Sequence, residues 1–271
     1  MNKKILALFF VLALIMGTFM AVQGCKPAGE EMPEGEMMEG GEMMMKIMVA
    51  TDAAYPPFEN IDPETGEMVG FDIDLMNEIA KEAGFEVEYV NVNWDGIFVG
   101  LDNDKYDAVI SAVSITEERK VKYDFSDPYY SISQALIVSK EMAKDVKDLD
   151  DLAGKKIGAQ IGTTGAILIS KNENVELVNY DDNPLAIEAL VRGDVDGVVC
   201  DHPVAYDYAL DNEAYMDKLE VVNDDLNKGD YEGYGVVVKK GNTEVLDMIN
   251  KGLSGVSNWT IKKIMKKWNV R

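Results

Sequence analysis

From residue 46 onward the sequence predicts an α/β fold made of two similar halves that face each other across a cleft. Short apolar runs alternate with segments whose apolar residues recur at helical spacing, the order that builds parallel sheets covered by helices. That alternation starts twice, at Lys46 and again near Lys155. No long polar linker separates the two series, so the halves share short connections and enclose a cleft instead of forming independent beads. The 271 residues, 47% hydrophobic and 28% charged, fit a globular chain with a sizeable core.

The elements follow in order. Lys46 to Thr51 reads as an apolar strand. Phe71, Leu75, Ile79 and Ala83 share one face of a helix that stops at Gly84, and Phe85 to Val90 is the next strand, which completes a β-α-β unit. The second series has a strand from Lys155 to Ala159, a helix from Thr163 and a strand from Val175 to Asn179. A helix from Pro184 to Arg192 closed by Gly193, a strand from Asp196 to Cys200 and a helix after Asp201 complete it.

The first 45 residues read differently. Residues 1–24 begin Met1-Asn2-Lys3-Lys4, continue as an apolar run from Ile5 to Met16 and end in small and polar residues at Gly24, the organisation of a secretory signal peptide. The apolar stretch falls short of the ~20 residues that a bilayer span needs. Val22-Gln23-Gly24-Cys25 resembles a bacterial lipobox, whose cysteine is lipidated and becomes the first residue after cleavage. More than one acyl chain on Cys25 would anchor the protein stably to a membrane without spanning it. Residues 26–45 hold six glutamates, six methionines, four glycines and two prolines, a composition that buries no face and reads as a flexible tether. Its thioethers would also suit Cu(I), the sharper alternative to a plain tether.

Charge narrows the function. Lysine plus arginine total 26 against 49 acidic residues, a net charge of −23, and loss of Lys3 and Lys4 with the signal would take it to −25. Such a surface repels nucleic acid and anionic headgroups. Two cysteines, Cys25 and Cys200, and the single histidine His202 cannot build a four-ligand zinc site, a disulfide framework or a serine triad with a histidine to spare. No metal or cofactor is expected. The chain also lacks a Gly-x-x-x-x-Gly-Lys-Ser/Thr loop, so any ATP hydrolysis belongs to partners.

Five segments carry a more specific signal. They are Val49-Ala50-Thr51-Asp52-Ala53-Ala54-Tyr55-Pro56-Pro57-Phe58-Glu59, Val69-Gly70-Phe71-Asp72-Ile73-Asp74-Leu75, Ser114-Ile115-Thr116-Glu117-Glu118-Arg119, Phe125-Ser126-Asp127-Pro128-Tyr129-Tyr130 and Gly162-Thr163-Thr164. In this order they resemble the polar amino-acid family of extracellular solute-binding proteins, the receptors of ABC importers, and the resemblance spans residues 46 to 271. It implies a two-lobed periplasmic-binding-protein fold of type II, with two hinge crossings and a ligand trapped between lobes on closure. By this resemblance lobe one is residues 46–132 plus 231–271 and lobe two is residues 133–230. The chain would cross near Ser131 to Gln134 and return near Tyr231 to Tyr234.

Arg119 is the only arginine between Met1 and Arg192, and its planar fork suits bidentate capture of a carboxylate. A surface ion pair on a short helix is its bland alternative. The resemblance places Arg119 on a ligand α-carboxylate, assisted by Ser111, Ala112 and Ser114 at a strand end and by Thr164 from the other lobe. Asp201 follows Val198-Val199-Cys200, at the carboxyl end of a strand where open α/β sheets meet ligands. The resemblance makes it the acceptor of the α-ammonium, while N-capping of the following helix is the competing role. Tyr55 and Trp94 match the walls around the ligand side chain, and Asp52 matches the far end of that pocket. A carboxylate there points to a cationic amino acid such as arginine, lysine or ornithine, with glutamine as the strongest rival. Phe58 and Cys200 read as core, His202 as a structural helix-start residue, and Lys262, Lys263, Lys266 and Lys267 as a solvated helix face.

These readings describe an extracytoplasmic, lipid-anchored, monomeric receptor in the periplasm or at the cell surface that hands an amino acid to an ABC permease and its ATPase. Cyclohexadienyl dehydratases share the fold and much of the motif set, so an enzyme is the runner-up, but their reaction needs a carboxyl acid beside the ligand hydroxyl that the sequence does not place. A signalling sensor domain is the third class; such domains normally continue into a membrane span and an output domain, which is not the expectation for a chain read to Arg271.

Overall fold

The fold is that of a computed structural model, which describes residues 44–230 and 232–271. The signal segment, Cys25 and most of the proposed tether lie outside the described residues, as does Tyr231. A first sheet holds five strands in the order Glu86–Asn91, Lys46–Thr51, Ala108–Val109, Val237–Lys239 and Tyr123–Phe125. The first three run parallel, and Val237–Lys239 is antiparallel to both its neighbours. A second sheet repeats the plan with Glu176–Tyr180, Lys156–Gln160, Gly197–Asp201, Gln134–Ser139 and Leu219–Asn223. Its first three strands are parallel and Gln134–Ser139 is antiparallel to both neighbours.

A separate ribbon pairs Tyr130–Ile132 with Glu232–Tyr234. Each sheet takes as its antiparallel strand the segment that follows one arm of this ribbon: Gln134–Ser139 after the first arm and Val237–Lys239 after the second. The fold is therefore the two-lobed α/β architecture of type II, with the chain passing twice between sheets.

Local signals explain the helices. Phe71–Ala83 buries Leu75, Met76 and Ile79 and ends at Gly84 in the left-handed region, φ 82°. There the N–H groups of both Gly84 and Phe85 reach the Ala80 carbonyl, which closes the last turn. This corrects the expected strand start: Phe85 is committed to the helix cap, and the strand begins one residue later at Glu86. The second-series strands likewise begin and end one residue later than the sequence predicts, at Lys156–Gln160, Glu176–Tyr180 and Gly197–Asp201. Asn183–Arg192 is capped by Asp182, whose carboxylate accepts from Leu185 N–H at 2.8 Å, and Thr163 caps Thr164–Ser170 through Ala166 N–H at 3.3 Å.

Phe58 is fully buried, as expected, with its ring centroid 5.7 Å from Phe71, 5.7 Å from Tyr130 and 5.2 Å from Tyr234. Two of these partners sit in the ribbon, so edge-on aromatic packing ties the crossings to the start of helix Phe71–Ala83. Gly70 is required by the same packing, because a Cβ there would stand 2.0 Å from the Phe58 carbonyl oxygen. Cys200 is a buried free thiol. His202 is structural: Nδ1 accepts the Ser133 N–H at 3.2 Å, and Nε2 lies 3.0 Å from the Arg271 carbonyl oxygen. Lys262, Lys263, Lys266 and Lys267 are exposed on Asn258–Lys267, where Lys267 pairs with Asp74 at 2.7 Å.

Candidate functional site

Strands of both sheets end at one pocket. All nine residues predicted to meet a ligand line it. Asp52 follows Lys46–Thr51, Tyr55 comes two residues after Ala53, and Trp94 opens helix Trp94–Asp102. Ser111, Ala112 and Ser114 follow Ala108–Val109, and Arg119 sits on helix Glu117–Lys122. Across the pocket, Thr164 starts its helix and Asp201 ends its strand.

Arg119 spans the cleft. Nη1 donates to the Ser114 carbonyl at 2.9 Å and Nη2 to the Gly162 carbonyl at 3.2 Å, one from each side. Its guanidinium carbon lies 5.3 Å from the Trp94 ring centroid and 5.6 Å from that of Phe98. Aromatic faces on a planar cation hold its fork in place and add attraction. Nearby, Ser114 Oγ is 3.5 Å from Thr164 Oγ1.

Asp201 occupies the N-cap position of the helix that follows it, but its side chain makes no capping hydrogen bond. Its Oδ2 accepts from the hydroxyls of Tyr55, at 2.6 Å, and of Tyr234, while Oδ1 accepts from Gln134 Nε2 at 2.5 Å. The donors reach it from the first sheet's side, from the ribbon and from the adjacent strand. That three-way hold is stronger and better aimed than a lone cap. Burial and the Asp201 charge push the Tyr55 and Tyr234 hydroxyls well above their usual range, so both stay protonated as donors.

Asp52 is 8% exposed. Gln160 Nε2, at the end of a second-sheet strand, donates to Asp52 Oδ2 at 3.2 Å and to the Asp181 carbonyl at 3.2 Å, and Asn183 Nδ2 in turn lies 3.4 Å from Gln160 Oε1. Burial pushes the Asp52 carboxyl up to about 6, against the pull of the Gln160 hydrogen bond.

Two predicted helpers sit differently from expectation. The Ser111 hydroxyl accepts Asp52 N–H at 3.0 Å and donates to Glu59 Oε1 at 2.8 Å, and the Ala112 N–H donates to Asp72 Oδ2 at 2.7 Å. Neither the Ser111 hydroxyl nor the Ala112 amide is an open anion donor. Ser114, Arg119 and Thr164, the other residues expected beside a carboxylate, line the same pocket. Ala112 also holds φ 45°, a left-handed conformation that costs a non-glycine residue ~1–2 kcal/mol.

The sequence reading missed Glu59, Gln160 and Thr163 on the wall, and Gln134 and Tyr234 behind it. Gln160 had a findable signal: it ends a second-half strand, the position Asp52 follows in the first half. Among the described residues no cluster of three histidine, cysteine, aspartate or glutamate side chains could hold a metal ion, and no helix is long and apolar enough to cross a membrane.

Comparison with known proteins agrees with this geometry. Residues 47–271 match the bacterial extracellular solute-binding proteins, family 3. A probable histidine-binding protein of Neisseria gonorrhoeae is 38% identical over 212 residues, 77% of this chain and 76% of that protein. The L-cystine-binding protein TcyJ of Escherichia coli (strain K12) is 31% identical over 224 residues, 82% of each chain. A solved structure of an ancestral arginine-binding protein bound to arginine superposes with a TM-score of 0.74 at 40% identity, covering 83% of this chain and 99% of that one. With the match running through both sheets and every pocket wall, the chain belongs to family 3 of the bacterial extracellular solute-binding proteins.

Proposed function

We propose that this protein is the extracytoplasmic receptor of an ABC importer and that it captures a cationic amino acid, of the arginine, lysine or ornithine kind, by closing two lobes around it. The observation that carries the reading is the charge layout of one pocket: a stacked guanidinium at Arg119 and two separately held carboxyl groups at Asp201 and Asp52. These match the α-carboxylate, the α-ammonium and a side-chain cation. Lobe one would be residues 46–132 plus 231–271 and lobe two residues 133–230, moving about the Tyr130–Ile132 and Glu232–Tyr234 ribbon. The contacts of Arg119 with Gly162, of Tyr55 with Asp201 and of Gln160 with Asp52 would then be closure contacts. Closed lobes would deliver the ligand to the permease and its ATPase.

The test is a thermal-shift screen of the proteinogenic amino acids with ornithine and cystine, because a ligand at a hundred times its Kd stabilises the native state by about 2.7 kcal/mol. Arginine or lysine is expected to give the largest shift. Asp52→Asn, which keeps shape and removes charge, is expected to cost a cationic ligand ~1.5–3 kcal/mol, the range of a charge-assisted hydrogen bond, and a neutral amide much less. The pH dependence has a defined sign. With its carboxyl raised to about 6, Asp52 is ionised above that pH and protonated below, so affinity for a cation holds above pH 6 and falls beneath it. Calorimetry across pH 5–8 checks this, and Asp52→Asn should flatten the profile. A shift with glutamine and none with arginine or lysine would refute the cationic reading.

The dehydratase reading asks for an acid beside a ligand hydroxyl, whereas Glu59, the further carboxyl on this wall, is bound through Oε1 by Ser111. Product from prephenate or arogenate would nonetheless overturn a purely binding role. Anchoring is the remaining part of the proposal. Cys25→Ser is expected to release soluble protein with unchanged ligand affinity, and recovery of the processed variant in the membrane fraction would count against a lipid at Cys25.

A further inference from the structure

Two carboxyl groups that the binding scheme does not use, Glu59 on the pocket wall and Asp72 behind it, are both fully buried. Glu59 Oε1 accepts from the Ser111 hydroxyl at 2.8 Å. Asp72 Oδ2 accepts from Ala112 N–H at 2.7 Å and from the Tyr129 hydroxyl at 2.8 Å. The other oxygen of each, Glu59 Oε2 and Asp72 Oδ1, is buried with no donor. Two adjacent carboxylates cannot both remain ionised out of water, and two orphaned acceptors are satisfied together by one proton between them. The donor pattern says which group owns it. Asp72 Oδ2 receives two donors, the pattern of the charged partner, and Glu59 receives one.

We propose that Glu59 is a protonated acid that donates from Oε2 to the Asp72 carboxylate, and that this acid pair positions the Ser111–Ala112 wall of the ligand pocket. The pair reaches the site through two short links: Glu59 through the Ser111 hydroxyl to the Asp52 N–H, and Asp72 through the N–H of Ala112, the residue held at φ 45°. Burial first and the Asp72 charge second raise Glu59 well above the ordinary carboxyl range, in the direction the geometry requires. The titratable groups facing the pair are Asp52, whose negative charge favours retention of the proton on Glu59, and the hydroxyls of Tyr129 and Tyr89, of which Tyr129 donates to Asp72 and so favours the charge there. The positioning part rests on the binding reading above; the shared proton does not.

Four measurements on the purified protein test it. Infrared spectra of the folded protein at about pH 8, where Asp52 is ionised, should retain one protonated-carboxyl band that E59Q lacks. The folded state then holds one proton more than the unfolded state. The unfolding constant of the parent should therefore rise relative to that of E59Q by close to tenfold per pH unit above about pH 7, where the Asp72 carboxyl, raised by burial to about 7, is also ionised, because the amide in E59Q supplies the donor without a titrating proton. E59Q and D72N should each fold, since one amide replaces the shared proton from either side, whereas the double variant sets two amide donors face to face and should be far less stable than the two single effects combined. For positioning, calorimetry with L-arginine as probe should show affinity lost in Glu59→Ala and largely regained in E59Q. Absence of the band, or parallel pH profiles for parent and E59Q, overturns the shared proton even if neither variant binds arginine. A band with equal arginine affinity in all variants overturns the positioning role, and a band with no arginine binding by the parent sinks the cationic reading alone.

Discussion

Arg119→Ala is expected to abolish practical ligand binding while leaving the thermal unfolding of the unliganded protein close to that of the parent. Arg119 is half-buried on a six-residue helix, and its guanidinium contributes little to either core. Its polar contacts include the carbonyls of Ser114 and Gly162, one on each side of the cleft, so the group that would grip a carboxylate would also link the lobes when they are shut. Removing one partner of a desolvated charge pair costs ~2–5 kcal/mol. At 1.4 kcal/mol per decade that is roughly thirty-fold to several thousand-fold in Kd. Arg119→Lys should recover only part of it, because an ammonium has neither the fork nor the flat face that lies over Trp94 and Phe98. Calorimetry showing near-native affinity in Arg119→Ala would remove Arg119 from the site.

Loss of the charge at Asp201 is expected to have an effect of the same size, and its neighbours dictate the variant. Asp201→Ala would strand the hydroxyls of Tyr55 and Tyr234 and the amide of Gln134, each a buried donor costing ~1–3 kcal/mol when left unpaired. Stability and binding would then fall together and the result would be ambiguous. Asp201→Asn keeps an oxygen toward the tyrosines. Its amide can face Gln134, whose Oε1 has no donor in the present arrangement and can turn to accept. The expected outcome is an unfolding temperature near that of the parent with affinity reduced by ~2–5 kcal/mol, the cost of removing the acceptor of a desolvated ammonium. Unchanged affinity in Asp201→Asn would mean that the α-ammonium is held elsewhere.

The fold and much of the site are written locally in the chain. A helix face repeats within four residues, and caps such as Thr163, Asp182 and Gly84 act on donors and acceptors no more than four residues away, so periodicity and punctuation place the elements they mark, such as Phe71–Ala83 and Asn183–Arg192, to within a residue. Strand ends in an open α/β sheet meet ligand by topology, which singles out Asp201, and the five ordered motifs hold Asp52, Tyr55, Ser114, Arg119 and Thr164, whereas Trp94, Ser111 and Ala112 came only through the wider resemblance. Tertiary structure decided what no window can hold. Glu59 reads as one more acidic residue until folding brings it 2.8 Å from Ser111, 52 positions away, and takes water from both. Gln160 meets Asp52 across 108 residues and Gln134 meets Asp201 across 67, because the ribbon feeds Gln134–Ser139 into the sheet beside Gly197–Asp201. Asp201 itself shows the reason most plainly. Its sequence context offers only the backbone of the next helix, whereas the fold delivers two tyrosine hydroxyls and an amide, and three donors aimed at a buried carboxylate outweigh a single exposed cap.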